Sequence, residues 1–342
     1  MYARTLQDVL KRTLQTGLLV VIMRVGEHGD RVGQYIVTHS LYNAPMRKPL
    51  ETNVNKTALL FEGGSLRAAY TCAVAAYLLE QDVHFANVYG VSAGSSNTVN
   101  YASRDIDRTV RSFTEITTLP DFGDWKTFLA HKGMFNAHYI YEEMGLPDGA
   151  MPFDMDTFLA NPANVTVVSY ERDTGRDLFF RKPEMSTLED LMVRVRASST
   201  LPVFMPPPRV NGMVCYDGGF AEGGGLPLQR IREDGFQKMV VVRTRKRGFR
   251  REPGGSWAKA FFWRRPHMRD AVLTRAPRYN AACDVLDEWE RQGDAYVFYC
   301  DDLTLSGTER DPGELRRNFE AGYAQIKREW PRLMDFLEKA EV

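Results

Sequence analysis

The sequence predicts an α/β fold in which a central, mostly parallel sheet is flanked by helices on both faces. Three observations predict it. Short apolar runs alternate with longer Ala/Leu-rich or amphipathic stretches, which is the order of strand–helix units in a parallel sheet. Several of the runs contain continuous apolar segments, "ALLF" in "TALLF" and "MVVV" in "KMVVVRTR" among them, as strands buried on both faces do. The chain, at 342 residues with 44% hydrophobic and 26% charged, is long enough to bury such a core.

Residues 1–56 stand apart as an N-terminal extension. Leu6, Val9, Leu10 and Leu14 recur at helical spacing and Gly17 stops the helix, so a surface helix or lead-in is expected in preference to the alternative, a membrane-interface helix, because its polar face is not strongly basic. The apolar run Leu18 to Met23 is too short to span a bilayer, and its flanks do not resemble a cleaved signal peptide. From Thr57 the pattern changes. "TALLF" reads as a strand, "LRAAYTCAVAAYLLEQ" as a helix, "FANVYG" as a strand and "AGSSNTVNYAS" as the next helix. "NVTVVSY", "DLFFRK", "RVNGMVCY", "KMVVVRTR" and "DAYVFYC" supply further strands; "TLEDLMVRVRASS", "RYNAACDVLDEWERQG" and the long segment from "DPGELRR" to "FLEKAE" supply further helices. No internal repeat or low-complexity linker interrupts them, so one domain is expected.

A formal net charge of zero gives no whole-molecule attraction to nucleic acid or an anionic bilayer. Cys72, Cys215, Cys283 and Cys300 lack the close spacing of a zinc site or redox pair and read as reduced, buried residues. A cytoplasmic location is the default expectation, with any membrane contact peripheral.

Gly90-Val91-Ser92-Ala93-Gly94 sits where a strand ending near Tyr89 meets a helix beginning near Ala93. A serine hydroxyl is a poor nucleophile until a base takes its proton and donors stabilise the oxyanion that forms on the substrate carbonyl. A strand, a sharp turn and a helix would expose the Ser92 Oγ at the helix N-terminus, and Gly90 and Gly94 suit the crowded flanks. Donors are expected from Glu62-Gly63-Gly64-Ser65, between a strand and a helix, where the amides of Gly63, Gly64 and Ser65 can point at one small anion. The Lys-Ser/Thr ending of a nucleotide P-loop is absent. His28, His39, His84, His131, His138 and His267 all lie outside the short loops after the later strands, where an α/β-hydrolase carries its base. In "VCYDGGFAEGGG", Asp217 ends a strand and Gly218 and Gly219 let the backbone turn tightly. A carboxylate there can take a proton directly from a serine hydroxyl, or it can serve only to cap the turn.

Together and in order, "EGGSLR", "GVSAG", "ASSTLPVFMPPP" and "YDGG" resemble the patatin-like phospholipase family over about Thr57 to Leu337. "PLQRIREDGFQKMVVVRTRKRGFRREP" and "GTERDPGEL" look like its bacterial branch. The resemblance implies a three-layer patatin-like acyl hydrolase domain over residues 57–342, with a Ser/Asp dyad, no histidine, and neither metal nor organic cofactor. It implies Ser92 as nucleophile, Asp217 as the general base that also activates the deacylating water, and Gly63, Gly64 and Ser65 as oxyanion donors. Arg67, after the glycine loop, takes an anchoring or electrostatic role. The implied reaction is hydrolysis of a lipid carboxylic ester, phospholipase A- or lysophospholipase-like, through an acyl-enzyme. A catalytically impaired binder of lipid or protein, and an acyl-CoA thioesterase or transferase, are the alternatives.

Three positions depart from the family pattern. Ser65 stands where a third glycine is usual, which suits a donor provided the backbone needs no positive φ. Ala68 stands where a glycine usually follows the arginine, and Pro227 comes ten residues after Asp217 instead of eight, through the unusual "EGGGLP".

On the substrate side, Ser169, Ser198 and Ser199 lack glycine flanks and read as structural. The prolines of "ASSTLPVFMPPP" fix a rigid wall that shapes an acyl pocket or serves packing alone. Residues about 119–162 carry Phe122, Trp125, Phe128, Phe135, Tyr139, Tyr141, Phe153 and Phe158; the resemblance makes this a cap, with most rings in the core and a few facing the pocket. "RTRKRGFRRE" and "WAKAFFWRR", residues 243–265, set cations beside Trp257, Phe261, Phe262 and Trp263. That suits either a peripheral membrane contact or a solvated loop with a buried helix face; no nucleic-acid module accompanies the charge.

Overall fold

The computed structural model describes the backbone of residues 18–25 and 33–40, and residues 49–123 and 135–341 in full. The chain divides into two compact units, Met1–Pro49 and Leu50–Val342. In the first, Leu18–Val25 (β1) and Gly33–Ser40 (β2) pair antiparallel, from Leu18↔Ser40 to Val25↔Gly33. The apolar run at Leu18 is therefore a strand, in keeping with the β-branched Val20, Val21 and Ile22. The helix expected around Leu6 to Leu14 lies outside the described residues.

The second unit holds strands Thr57–Phe61 (β3), Asn87–Val91 (β4), Asn164–Glu171 (β5), Asp177–Arg181 (β6), Arg209–Val210 (β7), Met213–Asp217 (β8), Lys238–Val242 (β9) and Ala295–Phe298 (β10). Its helices are Ala68–Glu80 (α1), Ala93–Ala102 (α2), Ile106–Thr114 (α3), Met155–Ala160 (α4), Leu188–Ser199 (α5), Leu228–Glu233 (α6), Ala258–Phe261 (α7), Pro266–Leu273 (α8), Arg275–Gln292 (α9) and Pro312–Glu341 (α10). β10, β9, β3, β4 and β5 run parallel in that order. Side chains alternate across this sheet: Ala58 and Leu60 pack with Tyr279, Cys283 and Leu286 of α9, while Leu59 and Phe61 pack with Val74 of α1 and Ile326 and Leu333 of α10. The expected α/β fold with both faces covered is observed.

Beyond β5 the sheet turns mixed. β6 pairs antiparallel with β5 over Thr166–Tyr170, and β8 pairs antiparallel over Ser169–Glu171. Ser169 and Tyr170 thus have partners in both strands, so β6 and β8 lie on opposite edges of β5. Val167 and Val168 likewise pair with both β4 and β6. β4 and β8 must therefore share one edge of β5, where they run toward each other and meet end to end, Val91 opposite Val168 and Asp217 opposite Ser169. The stretch "RVNGMVCY", expected as one strand, is split into β7 and β8 because Asn211 and Gly212 both take positive φ (51° and 79°), as a tight two-residue hairpin requires.

Gly322 of α10 lies against the Tyr70 carbonyl of α1, where a methyl group would come within 2.2 Å of that oxygen. Alanine favours a helix over glycine by about 1 kcal/mol, but a backbone oxygen in a packed helix cannot yield, and overpacking costs about 1–3 kcal/mol. Gly322→Ala is predicted to lower the calorimetric melting temperature; a rise would mean that propensity wins and that the helices do not approach this closely.

Candidate active site

The turn after β4 holds Ser92 at φ 56° and ψ −130°, a conformation costly for a residue with a Cβ. Three hydrogen bonds hold it there. The Ser92 N–H donates to Ser198 Oγ at 2.8 Å, and the Ser92 carbonyl accepts from Ser95 N at 2.8 Å and Ser95 Oγ at 2.6 Å. Gly94 is needed for close approach: a Cβ there would lie 2.1 Å from the Phe61 carbonyl oxygen of β3. Gly90 is crowded by Thr98, whose Oγ1 would be 2.5 Å from such a Cβ. Ser198 thus fixes the turn from α5, while the Ser169 hydroxyl donates to the Tyr216 carbonyl at 2.8 Å.

At the end of β8, Asp217 is 1% exposed. Ser92 Oγ donates to its Oδ2 at 2.6 Å, and the Gly219 N–H donates to its Oδ1 at 2.6 Å. Gly218 lets the two strand ends close, since a side chain there would meet the Val168 carbonyl oxygen at 2.3 Å. Burial pushes the Asp217 carboxyl above its ordinary value; Arg275, the Ser92 hydroxyl and the Gly219 amide oppose that rise without cancelling it. Asp217 both caps the 3-10 turn Gly218–Phe220 and accepts from Ser92, so it does more than cap the turn. No histidine lines the cavities around Ser92 among the described residues.

The loop after β3 presses on Ser92 from the other side: a Cβ on Gly63 would lie 2.7 Å from that of Ser92. The amides of Gly63, Gly64 and Ser65 donate to no acceptor among the described residues and border the cavity at Ser92. Ser65 takes φ 50°, so the loop does demand the left-handed region, and the proviso under which serine substitutes freely for glycine is not met. What anchors the loop is Glu62, unsingled by its sequence. Its buried carboxylate accepts from Arg243 Nε at 2.8 Å, the Thr244 amide at 2.9 Å and the Tyr279 hydroxyl at 2.5 Å. Burial raises the Glu62 pKa, but Arg243 and the Tyr279 hydrogen bond outweigh it, and the carboxyl ends below its ordinary 4.5.

The lengthened loop behind Asp217 docks on α9. Gly223, Gly224 and Gly225 all take positive φ, and Arg278 donates to the carbonyls of Ala221 at 2.7 Å and Phe220 at 2.9 Å. This brings Arg275 to Asp217: a guanidinium nitrogen of Arg275 and Oδ1 of Asp217 both lie within 2.8 Å of where a Gly219 side chain would begin. Arg275 is 58 positions from Asp217 in sequence and carries no local motif, so only the fold reveals it.

Two cavities meet at Ser65, Ser92 and Leu201. One, of about 100 Å³, is apolar and includes Phe113, Ile116, Ile140 and Met144. Of the cap rings, Phe122, Phe135 and Tyr141 face it, whereas Phe153 and Phe158 belong to the core beside α5; Trp125 and Phe128 lie outside the described residues. The other, of about 110 Å³, is polar and is bordered by Asp217, Arg67, Arg245, Arg251 and Arg275. The cations of residues 243–250 are largely spoken for: Arg243 pairs with Glu62, Arg247 with Glu290, and Arg250 with Asp284 and Asp287. Phe262 is buried, whereas Trp257, Phe261 and Trp263 are exposed. Among the described residues no helix is long and apolar enough to cross a membrane, and no cluster of side chains could hold a metal ion.

Residues 59–228 match the family model described as patatin-like phospholipase, and residues 265–338 match one described as a domain of unknown function, DUF6363. No curated protein matches the chain. Among solved structures, the crystal structure of VipD from Legionella pneumophila is similar at 12% identity, covering 83% of this chain and 67% of that one with a TM-score of 0.42.

Glu62→Gln would leave the Arg243 guanidinium buried without its carboxylate, at a cost of about 3–5 kcal/mol. Denaturant unfolding at neutral pH should show that loss. Because the Glu62 pKa is depressed on folding, its contribution is present above the unfolded value of 4.5 and fades as pH falls through the folded one. The gap between wild type and variant should narrow on acidification; a gap that is small or independent of pH contradicts the anchoring role.

Proposed function

Residues 59–228 being a patatin-like phospholipase domain, we propose that the chain is a serine hydrolase of lipid carboxylic esters that works by a Ser92–Asp217 dyad. The observation that carries this is the 2.6 Å hydrogen bond from the Ser92 hydroxyl to a buried carboxylate, at the mouth of an apolar cavity suited to an acyl chain. Asp217 takes the hydroxyl proton as Ser92 Oγ attacks the ester carbonyl. The amides of Gly63, Gly64 and Ser65, which border the cavity and donate to no acceptor among the described residues, receive the oxyanion. Collapse of the tetrahedral intermediate breaks the ester bond, and the departing alcohol takes the proton back from Asp217. Water, deprotonated by the same carboxylate, then attacks the acyl-enzyme; as the new tetrahedral intermediate collapses, Asp217 returns the proton to Ser92 Oγ and the fatty acid leaves.

The enzyme docks at the lipid surface through two exposed apolar segments, Val203–Phe204 and Trp257–Trp263; Trp263 is 69% and Phe261 55% exposed. Both segments border one shallow cavity that also includes Arg251 and Arg275, and large exposed apolar side chains grouped beside a site mark a contact surface. Arg243, Arg247, Arg250 and Arg265 pair with carboxylates, while Lys259 and Arg264 stay exposed beside the rings.

Ser92→Ala and Asp217→Asn should each lower kcat/KM by about 10⁴-fold or more in a mass-spectrometric assay of fatty acid released from mixed lipid; equal release by wild type and Ser92→Ala would refute the reading. In wild type, kcat/KM should rise with pH through a pKa above the ordinary carboxyl value of 3.8, because burial disfavours the basic form of Asp217; an acid limb at or below 3.8 contradicts it. Phe261→Ser/Trp263→Ser should sediment less with phosphatidylcholine vesicles while still hydrolysing a water-soluble ester, and undiminished sedimentation would remove the docking surface.

A further inference from the structure

We propose that Arg67, Arg245, Arg251 and Arg275 form a subsite for a phosphomonoester, and that the ester cleaved at Ser92 carries this phosphate on its alcohol side. The assignment of the phosphate to the substrate rests on the hydrolase reading above. Three separate segments send these cations to one cavity: the turn before α1, the strand exit after β9, and the first residue of α9. Arg275 belongs to residues 265–338, the segment whose family model has no stated function, and the subsite gives that segment a task.

The four differ from their neighbours. Arg243, Arg247 and Arg250 are matched to carboxylates, whereas none of the four forms an ion pair within 4.0 Å among the described residues. The Nε atoms of Arg67, Arg245 and Arg251 are buried and donate to no acceptor among the described residues; an unsatisfied buried donor costs about 1–3 kcal/mol. Aromatic rings hold three of the guanidinium groups in place: Arg245 lies 4.4 Å from the Phe249 centroid, Arg251 4.5 Å from Tyr279, and Arg275 5.0 Å from Phe220. Burial, and then the charge of Arg245, brings Arg67 down to about 10; burial, and then Arg251, does the same to Arg275. Such mutual repulsion is relieved when an anion sits among them.

Charge selects the anion. Glu62 is already matched by Arg243, so the cavity sets four cations against the single carboxylate of Asp217. A phosphomonoester, at about −1.5 to −2 near neutral pH, cancels more of the remainder than a phosphodiester can, and an uncharged glyceride cancels none. Planar guanidinium groups also match phosphate oxygens two at a time. Position selects the substrate. The apolar and polar cavities share Ser65, Ser92 and Leu201, so an ester bond at Ser92 would have its acyl chain on one side and its phosphate on the other. The polar cavity, at about 110 Å³, has room for a group the size of several waters, each of which needs roughly 10–15 Å³.

Two measurements on the full chain test this. In calorimetric titration, glycerol 3-phosphate should bind wild type in competition with inorganic phosphate, and bind Arg251→Gln at least about tenfold more weakly, the worth of one strong charge-assisted contact. In kinetics, wild-type kcat/KM for 1-oleoyl-glycerol 3-phosphate should exceed that for 1-oleoyl-glycerol by at least about tenfold, and Arg251→Gln should collapse that ratio. Absence of glycerol 3-phosphate binding overturns the subsite. Binding of inorganic phosphate without preference for the phosphorylated ester overturns its assignment to the substrate and leaves a free-phosphate site. An equal fall for both esters in Arg251→Gln shows that the arginine serves the oxyanion, which also overturns it. If glycerol 3-phosphate binds and neither ester is hydrolysed, the hydrolase reading fails and the anion subsite stands.

Discussion

The constraint on which the site depends is the head-on meeting of two strands along one edge of a third. β4 ends at Val91 opposite Val168, and β8 ends at Asp217 opposite Ser169. Adjacent residues of β5 therefore set the next residue of one strand and the last residue of the other side by side. A parallel partner for β5 at this position would carry its C-terminal end past Ser169, so the antiparallel entry of β8 is what allows a hydrogen bond of 2.6 Å between groups 125 positions apart. The glycines follow from the same crowding: Gly218 has no room against the Val168 carbonyl, and Gly94 none against that of Phe61.

Around this junction the fold holds charge and strain that isolated segments would reject. Ser92 and Ser65 both occupy the left-handed side of φ, and each is braced by its surroundings, Ser92 through Ser198 and Ser95 and the Ser65 loop through Glu62. Glu62 and Asp217 are buried carboxylates with opposite outcomes. Full hydrogen bonding and a direct guanidinium partner leave Glu62 below its ordinary pKa, while Asp217, with Arg275 near but not bonded, stays above. Two buried carboxyls are thus set apart in acidity by their partners.

Much of the architecture is legible because strands buried on both faces leave continuous apolar runs: β3, β9 and β10 fall within the segments read from sequence, and β5 exceeds its segment only by Glu171. The split of "RVNGMVCY" into a hairpin is not the single strand expected, although Asn211-Gly212 carries the signal for it. The hairpin β1–β2 is not among the expected elements, since the apolar run Leu18 to Met23 has no turn signal of its own that pairs it with Gly33–Ser40. Ser92, Asp217, Gly63 and Gly64, which border one cavity in the fold, stand out in sequence by their glycine-flanked turns, and only the resemblance of the ordered motifs joins them into one expected site. Glu62, Arg243, Tyr279 and Arg275 do not stand out, because a buried ion pair and a convergence of cations are made by residues far apart in the chain, none with a local signature. The basic stretch 243–252 looks uniform in sequence; only the carboxylates that the fold brings to Arg243, Arg247 and Arg250 separate them from Arg245 and Arg251, which face the cavity.

The claim on which the chemistry turns is that one hydroxyl is made nucleophilic by one carboxylate. A fluorophosphonate that reacts covalently with activated serines tests it most directly, read by mass spectrometry of the digested protein. The account predicts a single adduct on the peptide bearing Ser92 in wild type, and its loss in Asp217→Asn at unchanged melting temperature. An unmodified Ser92 in folded wild type, or equal modification when Asp217 is replaced, would contradict it.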